Sequence, residues 1–159
     1  MFVQNMLAEN ELIARLKHVV SAVHGRTAAL QGVVDTIRHS GAYRWVGLYE
    51  VDHHAQIVRN VAFSGPGAPA YPEFPITSGL TGAAVAERRT INVGNVEADE
   101  RYLTAFGSTK SEIIVPIFGP TGDRVIGTID VESDRVNAFR SDTETLLESC
   151  AQVISKLWR

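Results

Sequence analysis

Thiols are almost missing from these 159 residues: Cys150 is the single cysteine. No intramolecular disulfide can form, and neither Cys-x-x-Cys redox pairs nor cysteine-built zinc sets have their residues. An excess of one charge is also missing. Fifteen lysines and arginines stand against 18 aspartates and glutamates, for a formal net charge of -3. Such a balance builds no basic field for phosphate backbones or anionic lipid, so neither nucleic acid nor a membrane surface is expected as a partner. Long apolar runs are absent too, and stretches such as Ile113 to Phe118 fall far short of the roughly 20 residues of a membrane span. Met1 to Asn10 shows no basic segment, apolar core and cleavage site, so no secretory leader is expected and the cytoplasm is the default compartment. Glycine-rich phosphate loops and Gly-x-Ser-x-Gly elbows do not occur, and the five histidines lack the paired spacing of metal ligands. No metal, no cofactor and no catalytic residue is expected. A small polar metabolite remains the best partner.

What is present is ordinary globular composition, 45% hydrophobic and 21% charged. A chain of this length buries about two thirds of its unfolded surface in one core, which predicts a single domain over residues 1–159. Leu12, Ile13, Leu16, Val19, Val20 and Val23 fall at three-four spacing, and so do Leu30, Val33, Val34 and Ile37, ended by Ser40 and Gly41. Two helices therefore occupy residues 1–40. From Tyr43 the period becomes that of strands, with a hairpin of Tyr43 to Val51 and Gln56 to Phe63. Ser64 to Pro75 is dense in glycine and proline and is expected to be a loop, acting as a lid. Ser78 to Arg88 is a short helix of small residues, Ile91 to Val93 a brief strand, and Gly94 to Lys110 a polar connection. Glu112 to Phe118 and Arg124 to Glu132 form a second hairpin. Ser141 and Glu144, at capping-box spacing, open a helix over 142–158. This order predicts one mostly antiparallel sheet over 43–132, with the terminal helices on one face and a pocket under loops on the other.

Three features could carry binding. Trp45, Gly47 and Tyr49 are two apart on a strand and leave the same face, with the glycine opening a gap between the rings. Glu112 stands in an apolar strand, and Thr128, Asp130 and Glu132 share one face of another; buried acids need a cation, hydrogen bonds or water. Thr77 to Gly82 turns into a helix, whose free amide groups attract carboxylates. Together these would meet both ends of an amino acid. Each also has a plain structural reading: core aromatics, acids solvated or paired with arginines such as Arg124, and a simple helix start. Cys150, on the apolar stripe of the last helix, fits a small buried hydrophobe better than a nucleophile.

Four segments occur together: Trp45-Val46-Gly47-Leu48-Tyr49, Ser78-Gly79-Leu80-Thr81-Gly82, Ser111-Glu112-Ile113-Ile114-Val115-Pro116-Ile117 and Val125-Ile126-Gly127-Thr128-Ile129-Asp130-Val131-Glu132. With Phe139 and Asp142 before the last helix, they resemble a GAF domain of the free methionine-R-sulfoxide reductase type. The resemblance runs from about the first helix to the last. It implies an α+β, GAF-like (PAS-related) fold in which aromatics matching Trp45 and Tyr49 flank the ligand. Acids matching Glu112, Asp130 and Glu132 would hold its polar groups, although the family usually has aspartate at the position of Glu132. The family's reactive cysteines match Thr81, Ala105 and Tyr71, and a threonine with no adjacent base is a poor nucleophile towards a sulfoxide. The leading expectation is therefore a sensor-type, signalling GAF domain that binds an amino acid or derivative through Trp45, Tyr49, Thr81, Glu112, Asp130 and Glu132. The alternatives are a reductase working by a divergent route, and a homodimeric interaction module that pairs through its terminal helices and keeps a vestigial pocket.

Overall fold

The computed structural model describes residues 2–22, 25–104 and 106–158. Val23, the last member of the first apolar stripe, lies outside them. Along the chain run α1 (Phe2–Ala22), α2 (Arg26–Gly41), β1 (Trp45–Asp52), β2 (Ile57–Ser64), β3 (Glu73–Pro75), α3 (Gly79–Glu87), β4 (Ile91–Val93), β5 (Ser111–Phe118), β6 (Val125–Ser133) and α4 (Ser141–Ile154). Short 3₁₀ turns cover Val96–Ala98 and Ser155–Trp158.

The strands form a six-stranded sheet in the order β3-β2-β1-β6-β5-β4, antiparallel throughout. Alternation along the central strands sends Val46 and Leu48, Ile113, Val115 and Ile117, and Ile129 and Val131 to one face. There they meet Leu12 and Leu16 of α1, Leu30, Val33, Val34 and Ile37 of α2, and Leu147, Cys150 and Ile154 of α4 in one continuous core. α2 lies on β1 and β2, α4 on β5 and β6, and α1 packs against α2 and α4. Trp158 closes this side. Its indole presses on Gly127 of β6, and the Arg26 guanidinium stands 5.7 Å from the ring while Arg26 also pairs with Glu50 at 2.8 Å. Pro116 is tolerated inside β5 because β4 begins only at Ile91, opposite Ile114, and leaves β5 an edge beyond that point.

Three local expectations need correction. The segment 64–75 is not loop throughout: Glu73–Pro75 pairs with β2, and Arg59 locks the pairing with a 2.7 Å bond to Glu73. The left-handed residue that closes α2 is Ala42 (φ 51°) rather than Gly41. The Ser141–Glu144 capping box does not form, because Arg140 holds the N-cap position without a side-chain cap and Glu144 instead accepts from Asn92 at 3.1 Å. α1 begins at Phe2, within the span expected for the two helices, and its residues from Val3 to Ala8 precede the buried stripe and are exposed.

Candidate functional site

The register of three strands sets out the other face as a grid. Trp45 of β1 stands opposite Glu132 of β6, which stands opposite Glu112 of β5. The next rung is Gly47, Asp130 and Ile114, and the one after that Tyr49, Thr128 and Pro116. Directly opposed residues on antiparallel strands share a face and come within about 5 Å at Cβ, so the three acids form one cluster beside two aromatic rings. Gly47 has a mechanical role here: a Cβ on it would run into the Trp45 ring, which folds over it towards Tyr49 with 6.4 Å between ring centroids. The gap expected between the rings is thus filled by the indole itself.

Trp45 is pinned from several sides. It stacks on Phe63 at 6.3 Å, meets Phe106 at 5.5 Å, and donates its indole N–H to the Gly67 carbonyl at 3.1 Å. Phe106 and Gly67 belong to the two loops that roof this face. Tyr49 packs on Phe74 of β3 at 5.6 Å, so the strand hidden in the lid segment also supplies a wall.

The acids are deep. Glu132 is 1% exposed, Asp130 4% and Glu112 8%. Asp130 has a donor on each oxygen: Thr128 Oγ1 at 2.5 Å and Thr81 Oγ1 at 2.7 Å. Glu132 accepts from Thr109 Oγ1 at 3.1 Å. Glu112 has no hydroxyl or amide donor among the described residues, and its partner is the Glu132 carboxyl across the strand pair. Burial is the first cause of unusual titration here. It pushes Asp130 up to about 7 against the pull of the two threonines. It pushes Glu132 up to about 7 despite the bond from Thr109, and it drives Glu112 well above the carboxylate range with help from Glu132 and Asp130. The Tyr49 phenol, buried beside all three acids, is held far up and stays neutral. Asp130 and Glu132 therefore change charge near neutrality, where ordinary carboxylates do not.

Thr81 reaches Asp130 because α3 begins with a sharp turn. Gly79 has φ +70°, and Gly82 lies so close to the Ile76–Thr77 backbone that a Cβ would sit 2.6 Å from the Thr77 carbonyl carbon. The enclosed space between α3, the lid and the acids is about 30 Å³, room for a water-sized group rather than a whole metabolite. Trp45, Tyr49, Tyr71, Thr81 and the three acids all line it, and among the described residues no lysine, arginine or histidine does. An open groove of about 760 Å³ adjoins it over α3 and shares Gly79 and Leu103 with it.

The structure thus brings together all six residues expected at the site. It separates Cys150 from them: that thiol sits in the core on the helix face, and burial pushes it up to about 12. Tyr71 is on the lid, 48% exposed, and Ala105 lies outside the described residues. Among the described residues no group of three or more histidine, cysteine, aspartate or glutamate side chains is placed to hold a metal ion. Thr109, Phe74 and Phe106 were not expected at the site. Only the nearness of Thr109 to the Ser111–Ile117 segment could have hinted at the first, and nothing in the local pattern marks the other two.

The sequence model of the GAF domain matches residues 25–157. The chain belongs to the GAF domain family. This GAF domain is 26% identical over 143 residues to GAF domain-containing protein A of Dictyostelium discoideum, covering 90% of this chain and 87% of that one. Among solved structures, the free methionine-R-sulfoxide reductase of Neisseria meningitidis in complex with its substrate superposes with a TM-score of 0.86 at 27% identity, over 94% of this chain and 87% of that one. The type II free methionine-R-sulfoxide reductase of Thermoplasma acidophilum gives 0.78 at 30% identity, over 84% and 92%. Among the described residues of this GAF domain, no helix is long and apolar enough to cross a membrane.

Proposed function

We propose that this GAF domain is a sensor-type, cytoplasmic module that binds an amino acid or a close derivative and does not work as a thiol-dependent sulfoxide reductase. One observation carries the reading: three carboxyls buried around a single cavity, beside Trp45 and Tyr49, with no basic side chain in the cavity lining. Uncompensated buried acids are costly, and an ammonium group offers both the charge and the N–H donors that would relieve them. The start of α3 at Gly79 borders both this cavity and the adjoining open groove, and the backbone amides of a helix's first turn suit the carboxylate end of a zwitterion that extends from one into the other. Likeness to a reductase solved with its substrate supports the same placement. Against reductase turnover stands the position of Cys150, buried on the opposite face of the sheet with its thiol held protonated.

A thermal-shift screen against amino acids, both methionine sulfoxide epimers and cyclic nucleotides tests the binding. At a concentration about 100 times the dissociation constant a ligand adds roughly 2.7 kcal/mol, which raises the midpoint by several degrees. The double substitution Glu112→Gln with Asp130→Asn should erase the response. Silence across the panel would overturn the reading, and methionine sulfoxide consumption in a thiol-coupled assay would overturn its non-catalytic half. The exposed Val3, Met6 and Leu7 at the start of α1 favour an accompanying homodimer through the terminal helices. Sedimentation that gives a monomer mass at every concentration would remove that part.

A further inference from the structure

We propose that a ligand's ammonium group and a proton compete for one place between Glu112 and Glu132, so that a cationic ligand entering the cavity drives a proton out into solution. This rests on the zwitterion reading and adds how that same site is regulated.

The geometry separates the roles of the three acids. Asp130 has both oxygens occupied by hydroxyl donors from Thr128 and Thr81, so it is satisfied without a ligand. Glu132 has one donor, Thr109, and Glu112 faces only Glu132 across the strand pair. Two carboxylates set directly opposite one another and both more than nine-tenths buried repel too strongly to ionise together, and a proton held between them removes the conflict.

Among the described residues no neighbouring element forms an ion pair with these two carboxyls. β6 adds the like charge of Asp130, and β1 presents the neutral Tyr49 phenol. α3 contributes the Thr81 hydroxyl, and the lid adds Tyr71. The one cation acting on the pair, Arg44 just before β1, favours the charged form of Glu132 from a distance without an ion pair to it among the described residues. The titration of Glu132 near neutrality, and of Glu112 above its ordinary range, follows from the same arrangement.

The enclosed 30 Å³ admits a group the size of an ammonium head. Once such a head donates N–H bonds to both carboxyls, the second negative charge is compensated and the shared proton loses its place. The O–H bond breaks, the proton passes to the buffer, and the ligand nitrogen keeps its own three protons.

Calorimetric titration of the wild-type chain with glycine, L-methionine and both L-methionine sulfoxide epimers, in buffers of low and high ionisation enthalpy at about pH 6, counts the protons released. The expected result is net proton release on binding, with affinity rising as pH rises through the range in which the free pair holds its proton. Glu112→Gln and Glu132→Gln, tested separately so that a misfolded variant does not decide the matter, should each abolish the release. Binding with heats independent of the buffer would overturn the exchange and leave the zwitterion reading standing; failure of every probe to bind would overturn both. An infrared spectrum of the ligand-free protein at about pH 6 should show a protonated-carboxyl band that either glutamine substitution diminishes, the remainder belonging to Asp130. Its absence from the wild type would overturn the exchange whatever binds.

Discussion

The two faces of this sheet are made by the same strands and obey different physics. On β5 the residues Ile113, Val115 and Ile117 join a continuous apolar core, while Glu112, one position away, lies under the roof loops among acids. On β6 the division is Ile129 and Val131 against Thr128, Asp130 and Glu132. Both faces are buried. The helix face gains its stability from apolar area removed from water; the loop face buries groups that water would solvate better, and so it spends stability that the first supplies. The difference teaches that burial alone does not mark a core: a buried face of acids held by threonines is a place kept for something else.

The largest effect should come from the helix face. Ile129→Ala or Leu147→Ala removes side chains buried completely in the core, and should cost about 2–5 kcal/mol in chemical denaturation without altering the ligand specificity of the molecules that remain folded. A substitution there that changed specificity would break the division of labour.

The loop face should next reveal itself through pH. Asp130 and Glu132 are raised in the folded state, so the folded chain binds protons more tightly than the unfolded one. That contribution is fully present below the ordinary carboxylate values and is lost as pH rises through about 7. Ligand-free stability should therefore fall between about pH 4 and pH 7, by several kcal/mol, with most of the fall where calorimetry of most domains shows a plateau. Glu132→Gln should flatten the fall. A midpoint that rises over this range would contradict the buried-acid description.

Gly47→Ala comes third. The new methyl must displace the Trp45 ring, at a cost of about 1–3 kcal/mol, and should weaken ligand response more than an equally destabilising change in α4. Smallest is Thr81→Val, which keeps the shape but takes one donor from Asp130. It should cost about 1 kcal/mol and move Asp130 further up, visible by carbon-detected titration of the side-chain carboxyl.

The helix stripes, the two hairpins and the alternation of acids with isoleucines were legible because periodicity records which side of an element is buried, and here nearly every element has a buried side. Trp45, Tyr49, Glu112, Asp130 and Glu132 could be named because a carboxyl or an indole in such a strand breaks the pattern of its neighbours. What stayed hidden depends on distant parts of the chain. β3 is three residues that follow Pro72 and end on Pro75, and it exists only because β2 offers it a partner. The failed capping box has the same cause: Asn92, 52 residues away, claims Glu144. Thr109 and Phe106 reach the site through the path of a loop, and loop paths leave no period in a sequence.

Trp45 also gives the molecule an optical voice. The chain has two tryptophans, one bonded to the lid carbonyl of Gly67 and the other resting on Gly127 at the helix face. In a Trp158→Phe background, emission would come from the indole beneath the lid alone. A colour change without loss of helical signal would then time the lifting of the roof, molecule by molecule, apart from any unfolding of the layer below.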